Sequence, residues 1–258
     1  GYGAVDQIDV VAVADVDTNK LNRFGDAWDI PDNHRYEGHE AMLAAEDLDV
    51  VSVCSPTFLH ADHVVDAVRS PADPDLIWCE KPIASSVTDA KAAKQACAET
   101  NTQLLINHSL RFTDKMQALR EQIQDGLIGD IRSVSGLFRR EFLRNAPHLL
   151  DTTYFLSEKQ PKTVSGFINN ENDAVDSLES GTSVEDAGGG GHIVTEDDTF
   201  VSVDCTVARE ISTMSFQFIG TNGKISLNND DGEWRYWDLT DEGHIEREIS
   251  AIESDWNW

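Results

Sequence analysis

Four apolar runs, each followed by a polar break and a helical stretch, fill the first hundred residues. Residues 8–14 (IDVVAVA), 49–54 (DVVSVC), 76–79 (LIWC) and 102–106 (TQLLI) read as strands, and residues 19–28, 59–69 and 86–99 as helices. Runs without polar alternation are expected to be buried on both faces. Strands alternating with helices restrict the chain to a parallel, doubly wound sheet. In such sheets the ligand lies beyond the carboxyl ends of the strands. Asp15, Ser55, Lys81 and His108 all fall at or just after such ends.

The pattern changes after residue 112. Residues 113–125 read as a helix closed by Gly126 and Gly129, 131–142 as a long strand, and 147–156 as a helix. From Lys162 onward strands and turns dominate, with 216–220 and 224–227 forming a hairpin. Residues 169–198 are acidic and contain four consecutive glycines, which predicts a long mobile loop. The expected fold is therefore α/β in two parts. A doubly wound parallel sheet of Rossmann type spans residues 1–112, and an α+β domain with a largely antiparallel sheet spans 113–258.

Composition narrows the partners. The 258 residues carry 47 Asp and Glu against 20 Lys and Arg, a net charge of −27. Nucleic acid and anionic membranes are poor partners for such a surface. The charge suits either an ordinary acidic protein or one adapted to molar salt, where self-repulsion is screened; the second reading is preferred. No apolar run reaches the length of a membrane-spanning helix. The first residues resemble neither a signal nor a transit peptide. Cys54, Cys79, Cys97 and Cys205 form no Cys-x-x-Cys pair, which argues against a zinc ribbon and fits a reduced, cytoplasmic setting.

Each candidate site residue has two readings. Asp15 can accept hydrogen bonds from an adenosine ribose or act as a helix N-cap, a role Asp17 or Thr18 also fits. Lys81, between Glu80 and Pro82, can stabilise a developing alkoxide or make a surface ion pair. His148, with Asp151 three residues on, can abstract a proton or sit half-buried at a helix start. His60 and His63 are spaced for one helix face, but a metal site needs further ligands, so no metal is expected. Gly1-Tyr2-Gly3 is rejected as a phosphate loop, because no strand precedes it and Asp15 follows too soon. The first strand and its glycine loop are expected to be absent, as in a fragment of a longer protein.

Taken together the motifs resemble the glucose–fructose oxidoreductase / inositol dehydrogenase (Gfo/Idh/MocA) family. The stretches concerned are VVAVADVD at 10–17, DVVSVCSPTFLHADHV at 49–64, CEKPIA at 79–84, INHSLRF at 106–112, GLIGDIRSV at 126–134, HLLD at 148–151 and IGTNGKI at 219–225. The acidic composition resembles that of a member from an extreme halophile. The resemblance implies an oxidoreductase that moves a hydride between a nicotinamide cofactor and a sugar, polyol or related hydroxy or carbonyl compound. It implies NAD, or NADP, as cofactor, a substrate between the domains, and a homo-dimer or homo-tetramer. Asp15 would hold the ribose; Ser55, Pro56 and Thr57 would line the cofactor, with His60 on the nicotinamide side. Glu80 and Lys81 would lie beside nicotinamide and substrate, Lys81 being catalytic; Arg111 would lie near the cofactor cleft, and His148 would be the general acid/base. The lack of a basic residue at 16–19 favours NAD. Arg144 stands where many members carry an acid, with Asn145 beside it. This and the missing glycine loop motivate the alternative, a non-catalytic dinucleotide- or sugar-binding regulator.

Overall fold

The computed structural model describes residues 8–169, 188–208, 210–211, 213–228, 232–247 and 249. The chain divides into two compact units, Gly1–Asn107 and His108–Trp258. No described helix is long and apolar enough to cross a membrane.

In the first unit every paired strand is parallel. β1 (Val13–Ala14) pairs with β2 (Arg35–Tyr36). β3 (Val50–Val53), β4 (Leu76–Glu80) and β5 (Gln103–Asn107) form a second sheet in that order. The connections are helices: α1 (Thr18–Ala27), α2 (His39–Ala45), α3 (Thr57–Arg69) and α4 (Val87–Thr100). Local chemistry sets their ends. Asp17 caps α1 by accepting from the Asn19 and Lys20 amides, and Ser86 caps α4 by accepting from the Asp89 amide. Asn101 ends α4 at φ 60°, a conformation asparagine tolerates. Val51, Val53, Val64, Ala67, Ile77, Cys79, Ala93 and Ala96 share one core.

Burial in these strands departs from the expectation of two covered faces. Burial alternates along β3, with Val51 and Val53 buried and Val50 46% exposed. The sheet pairs only residues 13 and 14 of the run 8–14, and Ile8 and Val11 are 45% and 46% exposed. The apolar run marks a strand, but each face is buried only where another layer covers it.

The second unit is built on an eight-stranded sheet with α5 (Asp114–Gln124) and α6 (Phe142–Ser157) packed into its core. Its strands are β6 (Ile131–Arg139), β7 (Pro161–Ile168), β8 (Gly189–Thr195), β9 (Phe200–Val207), β10 (Met214–Gly220), β11 (Gly223–Asn228), β12 (Trp234–Thr240) and β13 (Gly243–Arg247). They lie in the order β13-β12-β11-β10-β6-β9-β8-β7, antiparallel except for β6 with β9. The expected hairpin is present, Phe216 pairing with Leu227 and Ile219 with Lys224. α6 crosses β6 where Gly136 leaves room, since a Cβ there would lie 3.3 Å from Leu149 Cδ2.

Two expectations are corrected here. β6 ends at Arg139, and α6 begins at Phe142, five residues before Pro147. Proline is favoured at the first helical position, which suggested the later start. Buried Asn145 instead turns the corner, its Nδ2 donating to the Arg139 and Arg140 carbonyls at 3.3 and 2.5 Å. The glycine run at 188–191 is not a loop, for residues 189–195 form β8 between β7 and β9. A Cβ at Gly189 would lie 2.4 Å from the Phe167 carbonyl oxygen, and one at Gly191 2.5 Å from that of Ser165. Close strand approach therefore explains glycine there better than flexibility does. The stretch 170–187 lies outside the described residues.

Candidate active site

The first unit brings most of the expected residues to strand ends. Asp15 follows β1, and its amide donates to the Tyr36 carbonyl at 3.1 Å. Its carboxylate accepts from the Asp17 amide at 2.8 Å. Asp17 is the N-cap, so the capping alternative does not apply to Asp15. Ser55, Pro56 and Thr57 lead from β3 into α3, whose first residue is Thr57. Ser55 Oγ is buried and has no hydrogen-bond partner among the described residues. An orphaned hydroxyl at a strand's carboxyl end suits a site that receives a polar ligand.

Glu80 is the last residue of β4, and Lys81 and Pro82 follow through a cis peptide bond. β5 ends at Asn107, opposite Glu80 in the ladder, and Asn107 Nδ2 donates to Glu80 Oε1 at 2.6 Å. The carboxylate beside Lys81 is thereby held by a neutral donor. Sequence reasoning missed Asn107, although its place at the end of QLLIN, level with the end of LIWCE, was visible.

His60 has a different setting from the one expected. It is 1% exposed, Nδ1 lies 2.7 Å from the Pro82 carbonyl oxygen, and Nε2 lies 2.6 Å from that of Ser55. Both ring nitrogens face main-chain carbonyl oxygens, one on the loop after β3 and one on the turn that follows Lys81. His63 instead lies against His39, the rings tilted by 35° with centroids 4.1 Å apart; burial, then the neighbouring His39, hold it below the ordinary histidine range. His39, Glu40 and Asp66 place one ligand atom each within 4.8 Å of one another, and His39 Nε2 lies 3.0 Å from Asp66 Oδ2.

In the second unit Arg111 and Asp151 form the central pair. Arg111 Nε donates to Asp151 Oδ2 at 3.1 Å, and Nη2 donates to Oδ1. His108 Nδ1 is 3.7 Å from the same Oδ1. The guanidinium also lies 5.4 Å from the Phe155 ring centroid. This places Asp151, expected to orient His148, against Arg111 and His108. His148, on the same helix, meets Phe138 edge-on at 6.1 Å. Arg144 Nη1 faces Glu141 Oε2 at 3.4 Å, so its guanidinium has an internal acid nearby.

Comparison with known proteins bears on the fold. Residues 2–108 match the model of the oxidoreductase family with an NAD-binding Rossmann fold (GFO_IDH_MocA). The D-apiose dehydrogenase of Paraburkholderia graminis is 30% identical over 125 residues, 48% of this chain and 32% of that protein. The inositol 2-dehydrogenase of Rhizobium meliloti is 33% identical over 96 residues, 37% of this chain and 28% of that protein. The matched stretches thus span about a third of these relatives. A crystal structure of an oxidoreductase from Agrobacterium radiobacter in complex with NAD+, L-tartaric acid and magnesium superposes on all of this chain and 77% of its own, with a TM-score of 0.77. At 19% identity the likeness is one of fold: a Rossmann-type domain followed by a mostly antiparallel sheet.

Proposed function

We propose that this chain, whose first unit carries the NAD-binding Rossmann fold of the Gfo/Idh/MocA oxidoreductases, oxidises a hydroxyl of a sugar, polyol or related compound at the expense of NAD. One observation carries the reading. In a parallel sheet, Ser55 follows one strand, and Glu80 ends the next with Lys81 directly after it, on the side where such sheets bind ligands. Asp15, Ser55, Pro56, Thr57, Glu80, Lys81 and Arg111 are the proposed cofactor-facing residues. Asp15 accepts from the ribose hydroxyls and disfavours a 2′-phosphate, so NAD is preferred to NADP.

When bound, the nicotinamide ring supplies the hydride acceptor. The chain supplies the rest. Lys81 Nζ donates to the substrate oxygen and stabilises the negative charge that grows there. His148 is the proposed general acid/base, the group that would take up the hydroxyl proton. Asn107 holds the Glu80 carboxylate in place beside Lys81. The four free cysteines suit a reducing compartment, and we place the protein in the cytoplasm. We also propose a homo-oligomer joined through the sheet of the second unit, where exposed Ser135 and Gln217 lie opposite each other. Ser135→Arg should then lower the molar mass read by light scattering, and an unchanged mass would refute that interface.

The test is NAD+ reduction, followed at 340 nm, with myo-inositol, D-apiose and D-glucose. Turnover that Lys81→Met abolishes supports the reading. NADH binding without turnover on a wide polyol panel favours the regulatory alternative.

A further inference from the structure

We propose that His60 is a positioning residue, a clasp that sets the Lys81 turn against the loop following β3. The proposal rests on the reading of Lys81 and of Ser55–Thr57 as site residues. The ring starts from a fixed place, because α3 buries the face that carries His60, Ala61, Val64 and Ala67. Val64 and Ala67 are fully buried in the core of the first unit, so the helix cannot shift without disturbing that core.

From there the ring reaches two separate loops. Nδ1 meets the Pro82 carbonyl at 2.7 Å and Nε2 meets the Ser55 carbonyl at 2.6 Å, with the residue 1% exposed. Carbonyl oxygens only accept, so a ring nitrogen that carries hydrogen is the donor, and each nitrogen stands within hydrogen-bond reach of its own loop. The partners are main chain, so the clasp acts on backbone position rather than on side-chain rotamers. Pro82 is bonded directly to Lys81, and Ser55 opens the loop into α3. A rigid five-membered ring thus spans the segment proposed to line the cofactor and the segment carrying the proposed catalytic lysine. Hydride transfer depends strongly on the relative placement of such segments, and a displacement of about 1 Å can cost about 100-fold in rate.

Two variants divide the clasp. The amide nitrogen of asparagine can take the place of Nδ1, and that of glutamine the place of Nε2. His60→Asn therefore keeps the bond to Pro82, whereas His60→Gln keeps the bond to Ser55. We expect His60→Gln to retain NADH affinity within about twofold and to lose about 10- to 100-fold in kcat. His60→Asn should weaken NADH binding about fivefold, the loss of one hydrogen bond, and keep kcat within about threefold.

Hydrogen exchange on the full chain reads the same division without turnover. His60→Gln should loosen residues 81–84, and His60→Asn residues 55–59. If both variants lose thermal stability alone, or change kcat, NADH affinity and exchange alike, His60 is a core residue and the clasp is wrong. If Lys81→Met leaves turnover unchanged, the reading of Lys81 has failed, and the exchange pattern still decides the clasp. If neither variant folds, nitrogen-15 NMR of the parent ring decides. A solvent-protected, hydrogen-bonded ring N–H supports the clasp, and a ring whose N–H exchanges freely with solvent overturns it.

Discussion

Asn107 Nδ2 donates to Glu80 Oε1 at 2.6 Å, joining the ends of two adjacent parallel strands, β4 and β5. The bond holds a carboxylate next to Lys81 without neutralising it. Asn107→Leu keeps the approximate volume and removes the donor. It should lower unfolding stability by about 1.5–3 kcal/mol, the usual worth of a hydrogen bond to a charged group. It should also lower kcat about tenfold while leaving NADH affinity nearly unchanged. Urea unfolding and initial rates check the two parts separately. An unchanged kcat would mean that Glu80 placement does not matter to turnover.

A second carboxylate predicts acid behaviour. Glu46 Oε1 accepts from the Tyr36 hydroxyl at 2.5 Å and lies 2.6 Å from His34 Nδ1. The Tyr36 hydrogen bond is the main reason the Glu46 pKa is lowered; burial opposes it and His34 adds to it. A carboxylate with a lowered folded pKa contributes stability that is present above its unfolded pKa, near 4.3, and is lost as pH falls through the folded value. Tyr36→Phe should therefore be less stable than the parent at pH 7, with the difference shrinking below about pH 4. Urea titrations at pH 7 and pH 3 check this. A difference independent of pH would show that the hydroxyl matters only through packing.

The cysteines should react unequally. Cys79, Cys97 and Cys205 are buried, whereas Cys54 is exposed at the end of β3. Burial pushes the Cys79 thiol up to about 12 and raises that of Cys97; desolvation of its sulfur by the surrounding protein raises that of Cys54, although the residue is exposed. A native sample should release one equivalent of thionitrobenzoate per chain from an aromatic disulfide reagent, slowly at pH 7 and faster at pH 9. Cys54→Ser should abolish the reaction, and in urea the parent should release four equivalents. The folded pKa of Cys79 is raised, so above pH 9 the unfolded state loses its proton first. Urea unfolding should therefore show stability falling as pH rises from 9 towards 12, and a stability that stays flat there would contradict the raised thiol.

Much of this arrangement was legible because period and punctuation agreed. The runs ending at Cys54 and Cys79 became β3 and β4, and the residues placed at their ends, Ser55, Glu80 and Lys81, are where the sheet leaves them. The hairpin around Thr221 and Asn222 followed from local turn chemistry alone. Partnerships across the fold were not legible. Nothing near Asp151 in the chain points to Arg111, 40 residues away, and nothing near His60 points to Pro82, 22 residues away. The glycines of β8 misled because local flexibility and close backbone approach call for the same residue, and only the strands beside them distinguish the two. Pro147 misled because proline usually opens a helix, while Asn145 had already tied the corner through its side chain.

The central claim is a nicotinamide site at the carboxyl ends of parallel strands, with Asp15 choosing between the two forms of the cofactor. It is tested most directly by titrating the full chain with NADH and with NADPH, following energy transfer from its six tryptophans. Molar KCl should be present, because a net charge of −27 repels itself and salt at that level screens charges beyond about 3 Å. Saturable NADH binding is expected, at least about tenfold tighter than NADPH, with the preference lost in Asp15→Ala. No binding of either cofactor by a folded sample would contradict the site itself, and a preference for NADPH would contradict the role given to Asp15.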